Sequence, residues 1–398
     1  MQESAFYGTI LVRKEWEKGL ENVNRSQTTQ NTKKSLDSEA IIAIFLLFLS
    51  VFLIFTVSVL TFRSCESEQE PNPQVTTPQT QITPPQTPQK NAIFSSGTVI
   101  PYAVEDESTR TVSSEIDSYY AILIDLQSGK IVAQKNADLV FSPASMTKVM
   151  TLIVACENLT EEDLERQLPF SYEIFEYVRS GNYAGMETVL PEKDPTTGAI
   201  CIGDTYTIKE LLYGIGVKSA ADCTYMIAKE IAGSEEAFVN MMNAKALELG
   251  LMDTHFDNIV GYDSTTNVTT ARDMAQIMAY AMQSETIVDI LEPRTSRYTI
   301  YAHWDDDGVD KTYGVHFEPS YQSRLKRYPS FSPTGVNLEA CKTGYTNESF
   351  IVTSAISKTT GARYILVLGD KSSGTEDYDI KFKNTMVDME TMFNTFVP

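Results

Sequence analysis

Residues 121–151 read AILIDLQSGKIVAQKNADLVFSPASMTKVMT. The stretch changes its periodicity twice. Tyr119–Asp125 is a run of apolar, β-forming residues, Gln127-Ser128-Gly129-Lys130 is a turn, and Ile131–Gln134 reads as the returning arm of a hairpin. From Phe141 to Glu157 the apolar residues fall at helical spacing. Pro143 lies near the start, and Met146, Val149, Met150 and Ile153 share one side.

Working outward, helical patterns dominate residues 160–290, as in Ile208–Tyr213 and Glu235–Leu249. Strand patterns return at Leu338–Thr346, Phe350–Ser357 and Tyr364–Leu368, and an amphipathic helix is expected from Asp377 to Phe393. Strands at both ends with helices between them predict an α+β domain whose sheet joins distant parts of the chain. That domain is expected over residues 98–398.

Upstream the composition is different. Ala40–Phe62 (AIIAIFLLFLSVFLIFTVSVLTF) carries no charge and is long enough to span a bilayer. A cleaved signal peptide and a buried core helix are the other readings. The polar residues 1–39 ahead of the run, and its length, favour a signal anchor. Phe62-Arg63-Ser64-Cys65 lacks the small residues of a lipid-attachment site. Arg25, Lys33 and Lys34 precede the run, whereas Glu66, Glu68 and Glu70 follow it. A cytoplasmic tail (1–39), a transmembrane helix (40–62) and an extracytoplasmic remainder are therefore expected. Residues 63–97 are rich in Pro, Thr and Gln and read as a linker that cannot bury enough apolar surface to fold. Its polyproline-like part rises about 3.1 Å per residue.

The 398-residue chain has 53 acidic and 32 basic residues, a net charge of -21. That balance argues against nucleic acid as a partner. His255, His303 and His316 have no metal-binding spacing, so no metal is expected and the pattern argues against a metallopeptidase. The five cysteines include no Cys-x-x-Cys pair. Cys156 and Cys341 sit in apolar contexts and are expected to be buried thiols. Cys201–Cys223 is the first pairing to test.

The chemistry begins at Ser145. Ser145 and Lys148 lie three residues apart and share a helix face. A lysine becomes a base near neutral pH only when it is desolvated or set beside another cation, and Lys342 is a candidate for that cation. Ser145 near a helix N-terminus would also place backbone N–H groups where an oxyanion develops. A surface lysine on an ordinary amphipathic helix is the bland alternative. Ser323-Arg324-Leu325-Lys326 repeats the Ser-x-x-Lys spacing and reads as a chance match.

The text around these residues decides between the readings. Residues 121–151, Tyr206–Gly214, Ala232–Val239, Met242–Ala246, Thr270–Ala275 and Lys342-Thr343-Gly344-Tyr345-Thr346 follow one another in a fixed order. In that order they resemble the serine-type D-Ala-D-Ala carboxypeptidases, the low-molecular-mass penicillin-binding proteins. The resemblance covers about residues 95–395. It implies a β-lactamase/transpeptidase-like fold, with an antiparallel five-stranded sheet, flanking helices and a helical subdomain. It implies Ser145 as nucleophile, Lys148 as general base and Ser219 as proton relay. Lys342 and Thr343 would bind the substrate carboxylate, and the N–H groups of Ser145 and Tyr345 would form the oxyanion hole. Gly344 would let the substrate backbone approach the strand. The implied partners are peptidoglycan stem peptides and, as covalent inhibitors, β-lactam antibiotics; no cofactor is implied.

Two departures from the family pattern stand out. Ala221 occupies the asparagine position of the Ser-x-Asn motif, which keeps open a weakly active or noncatalytic wall-sensing protein. Extra residues around 178–203 and 300–330 are expected to reshape the cleft rim. A β-lactamase is a further alternative, but Thr269-Thr270-Ala271-Arg272-Asp273 stands where its glutamate motif is sought.

Overall fold

The computed structural model describes residues 91–398, apart from residues 96, 180–182, 184–185, 191–202, 294–296, 307–308, 328–330, 332, 347 and 371–377. The expected tail, the apolar run Ala40–Phe62 and residues 63–90 of the linker lie outside the described residues. Among the described residues no helix is long and apolar enough to cross a membrane.

The hairpin of the opening stretch forms as its sequence dictates, with β2 at Tyr120–Asp125 and β3 at Lys130–Lys135. A two-residue strand, β1 (Arg110–Thr111), runs parallel to β3 at the sheet edge. The C-terminal part adds β8 (Val336–Tyr345), β9 (Ser349–Ser357) and β10 (Arg363–Asp370). The sheet order is β1-β3-β2-β10-β9-β8. Its five long strands are the antiparallel sheet expected, with β10 pairing β2 across more than two hundred residues of chain.

Both faces of this sheet are covered, so its strands read as continuous apolar runs. Successive side chains point to opposite faces. Ile122 and Ile124 enter a core with Val149, Met150 and Ile153. Ala121 and Leu123 enter a second core with Phe382, Met386, Met389 and Phe393. The first core is built on α1 (Thr147–Asn158), and the second on the C-terminal helix Tyr378–Phe396.

Between β3 and β8 lie the helices α2 (Tyr172–Arg179), α3 (Ile208–Tyr213), α4 (Ala221–Ala232) and α5 (Glu235–Glu248). These are followed by α6 (Ala271–Ala281), α7 (Glu285–Leu291) and α8 (Ser320–Arg327), which makes the C-terminal helix α9. Several caps are legible in sequence. Thr207 caps α3 in a reciprocal pair with Glu210, and Ser234, Thr270 and Ser284 accept N–H bonds at the starts of α5, α6 and α7.

Two expectations shift. The helix expected from Phe141 starts later, as a tight turn at Ala144–Met146 that leads into α1. Phe141 is paired with Thr269 in a β-bridge, Pro143 has no N–H, and Ala144 holds φ at 49°. A second sheet was not anticipated: β4 (Gln167–Pro169), β5 (Thr205–Thr207), β6 (Tyr298–Asp306) and β7 (Val309–Phe317). Residues ahead of 98 also pack against the helices. Ile93 N–H donates to the Leu159 carbonyl (2.8 Å), and Phe94 is buried with its ring 5.1 Å from that of Tyr280. Cys156 and Cys341 are buried thiols, as expected; Cys223 is buried too, and Cys201, the partner proposed for it, lies outside the described residues.

Where the helices meet, Lys245 Nζ lies 2.9 Å from the Glu157 carboxylate, and Tyr280 Oη donates to the same carboxylate at 2.6 Å. Both charged side chains are almost wholly buried. Removing the cation alone leaves a buried carboxylate short of a partner. Lys245→Met is expected to lower unfolding free energy by about 3 kcal/mol, read from urea denaturation of the purified protein.

Candidate active site

Ser145 sits in the turn Ala144–Met146, and Lys148 is in the first turn of α1. The turn is clamped by two glycines from distant segments. At Gly261 (φ +77°) a Cβ would fall 1.7 Å from the Ala144 carbonyl oxygen. At Gly344 it would fall 3.1 Å from Ala144 Cβ and 3.3 Å from Ser145 N. Gly344 therefore lets β8 press against the turn that carries Ser145. That is a different reason for a glycine here than the substrate approach expected from sequence.

Lys148 Nζ is 3.2 Å from Ser145 Oγ and donates to the Val260 carbonyl at 2.6 Å. The side chain is fully buried. Burial first, and the Lys342 charge second, hold its proton affinity well below the ordinary lysine range. Sequence pointed to either cause; burial is the larger. Lys342 is also buried, and burial followed by the Arg324 charge pushes its pKa down to about 7.

Lys342 Nζ donates to Ser219 Oγ and to the Thr343 carbonyl, each at 2.9 Å. Alternation along β8 explains this placement, since Ala340, Lys342 and Gly344 share the face toward the Ser145 turn. Ser219 follows a short π-helical turn, Gly214–Lys218, and holds the left-handed conformation (φ 68°). Such a backbone costs a residue with a Cβ about 1–2 kcal/mol.

Ser145, Ser219, Thr343, Gly344 and Tyr345 line one cavity of about 500 Å³. Every residue assigned from sequence thus lies at this cleft or, like Lys148 and Lys342, hydrogen-bonds to a residue that lines it. The second Ser-x-x-Lys does not form such a pair. Ser323 Oγ turns back to the Pro319 carbonyl (3.2 Å), and Lys326 is exposed and salt-bridged to Glu318.

The extra segment over 300–330 nevertheless reaches the cleft. Helix α8 places Arg324 and Arg327 on the cavity wall, and the Arg324 guanidinium stacks 3.5 Å over the Phe382 ring. Sequence offered no signal for Arg324, which lies inside the chance Ser-x-x-Lys match. Glu187 was missed too. It lines the cavity, salt-bridges Lys218 at 3.0 Å, and its carbonyl accepts the Ala221 N–H at 2.8 Å. The buried Asp222 carboxylate accepts the N–H groups of Val189 (3.0 Å) and Leu190 (2.8 Å). An acidic residue in the first turn of a helix usually reads as nothing more than a complement to the helix dipole.

The family model described as D-alanyl-D-alanine carboxypeptidase matches residues 106–372, which is more than half the chain. The chain belongs to that family. D-alanyl-D-alanine carboxypeptidase DacF of Bacillus subtilis (strain 168) is 29% identical over 272 residues, covering 68% of this chain and 62% of the relative. D-alanyl-D-alanine carboxypeptidase DacA of Escherichia coli (strain K12) is 34% identical over 163 residues, covering 41% and 38%. The chain thus spans less than two thirds of the length of either. Among solved structures, the Streptomyces K15 DD-transpeptidase aligns at TM-score 0.55 and 23% identity, covering 70% of this chain and 97% of that one. Penicillin-binding protein 5 from Haemophilus influenzae aligns at TM-score 0.52 and 21% identity, covering 70% of each chain. These likenesses establish the family's transpeptidase-type α+β fold for residues of the folded domain.

The clamp is testable within this family fold. Gly261→Ala is expected to displace the Ala144–Met146 turn, because the new Cβ cannot coexist with the Ala144 carbonyl at positive φ. The combined strain and overpacking amount to about 2 kcal/mol or more. A lowered thermal midpoint is the expected result; an unchanged midpoint would refute the clamp.

Proposed function

We propose that this protein is a membrane-anchored serine D-Ala-D-Ala carboxypeptidase, which trims the terminal D-alanine of peptidoglycan stem peptides through an acyl-enzyme on Ser145. The observation that carries this reading is the approach of the buried Lys148 Nζ to Ser145 Oγ (3.2 Å). The D-Ala-D-Ala carboxypeptidase relatives favour this peptide over other acyl donors.

In this mechanism neutral Lys148 takes the Ser145 proton as Oγ attacks the carbonyl carbon of the penultimate D-alanine. The N–H groups of Ser145 and Tyr345 stabilise the oxyanion. Ser219, bonded to Lys342, relays a proton to the leaving nitrogen, and D-alanine departs. Water then attacks the ester and restores Ser145. Thr343, with Lys342 behind it and Arg324 beside the cleft, binds the terminal carboxylate. A β-lactam enters by the same route and remains as a covalent adduct. Ala221, buried and without an amide, favours the second reading of a slow or noncatalytic wall-sensing protein.

Ser145→Ala is expected to abolish the penicillin adduct while the thermal midpoint stays near that of the unsubstituted protein, because only the attacking oxygen is lost. Intact-mass spectrometry with peptide mapping checks this. An adduct on Ser323, or on any residue but Ser145, would refute the assignment.

The anchor is proposed from Ala40–Phe62 and the basic residues Arg25, Lys33 and Lys34 ahead of it. Protease added to protoplasts is expected to digest the catalytic domain and spare residues 1–39. A mature chain beginning near Cys65 would instead identify a cleaved signal.

A further inference from the structure

Glu187 takes no part in the reaction described above, yet its backbone and side chain are both committed to the cleft. Its carbonyl covers the N–H of Ala221, at the first turn of α4, and the carboxylate of Asp222 in the same turn holds the next N–H groups, those of Val189 and Leu190. Segment 187–190 is thus strapped across the Ser219–Ala221 turn, where residue 221 itself offers only a methyl group. The strap delivers the Glu187 carboxylate to the cavity that Ser145 and Ser219 line, with Lys218 as its ion-pair partner at 3.0 Å. The negative charge of Glu187 acts on both buried lysines, raising the proton affinity of Lys148 and of Lys342 against the opposing effect of burial.

We propose that Glu187 is a positioning residue for acylation, its carboxylate stabilising the ammonium that Lys148 becomes when it takes the proton of Ser145. The proposal rests on the assignment of Ser145 and Lys148 above. The proton moves from Ser145 Oγ to Lys148 Nζ and then toward the leaving nitrogen. Glu187 gains no proton and forms no bond. Its role is electrostatic, and it supplies a negative charge that acts on the lysine.

The charged and titratable groups that share the cavity with Glu187 or lie close enough to interact with it are Lys218, Lys148, Lys342, Asp222, Arg324, Arg327 and Tyr345. Because Glu187 favours protonated Lys148, its charge also delays the appearance of the neutral base as pH rises. Removing that charge has two opposite consequences. The acid limb of the acylation profile moves to lower pH, because Lys148 loses its proton earlier. The plateau falls, because the ammonium formed in the transition state is less stable. A side chain that only supports the fold would lower the plateau without moving the limb.

The test is the second-order rate constant for acylation of the full chain by a fluorescent penicillin, from about pH 5 to about pH 10. In Glu187→Gln the plateau is expected to drop about tenfold and the acid limb to move down by about half a unit. The shift is smaller than for a buried pair because the Glu187 side chain is 61% exposed. Glu187→Asp should return the limb toward its original position. Lys218→Met, which removes the cation that offsets Glu187, should move the limb to higher pH. A limb that stays fixed or rises in Glu187→Gln overturns the proposal. If that variant does not fold, Lys218→Met decides, and a limb that stays or falls overturns it equally. Failure of the unsubstituted chain to form any adduct on Ser145 would instead defeat the catalytic reading beneath it.

Discussion

The Lys148 ammonium is shut away from water, and much of the surrounding structure makes that tolerable. A charged amine in an apolar interior is strongly disfavoured, so the group sheds its proton readily and becomes a base. Three features set how readily. The Val260 carbonyl gives the amine a fixed acceptor, Lys342 adds a second positive charge, and Glu187 and Asp222 counter it with negative ones. The site is therefore a balance between burial, which removes the proton, and a few oriented charges that keep the lysine in place and receptive.

The sheet fixes this balance in space. Strand β8 carries Lys342 and Gly344 on one face and Cys341 toward the opposite core. A one-residue slip of β8 would therefore turn both away from Ser145. Strands β9 and β10, buried on both faces, hold the register from the C-terminal side, while β2 and β3 lead directly into the nucleophile turn. Catalytic geometry and hydrophobic burial are secured by the same alternation of side chains.

How much of this could be read in the sequence depended on whether the signal was local. The 121–134 hairpin, the Thr207–Glu210 cap and the continuous apolar runs of β9 and β10 all announce themselves within a few residues. The second sheet does not: β4 and β5 are three residues each, too short to show a period. For β6 and β7, Asp307-Gly308 is the dipeptide that hairpins favour, but the acidic Asp305-Asp306 run beside it hides the alternation. At the site, Ser145, Lys148, Ser219 and Lys342 were legible from spacing and family likeness. Arg324 and Glu187 were not, because each reaches the cleft only through how a loop or helix packs. The late start of α1 had a local signal in Pro143, but its cause, the Phe141–Thr269 bridge, spans more than a hundred residues.

The double glycine clamp has a consequence for the life of the chain before it is fully folded. Ser145 is held between Gly261 and Gly344, and Lys148 leans on Val260, so the reactive pair needs segments separated by up to two hundred residues of sequence. Contacts of that separation are among the later and slower ones to form. A nascent or partly collapsed chain has an ordinary serine and a solvated, protonated lysine. The short Ser145–Lys148 distance is therefore a property of the completed topology and not of the local helix alone.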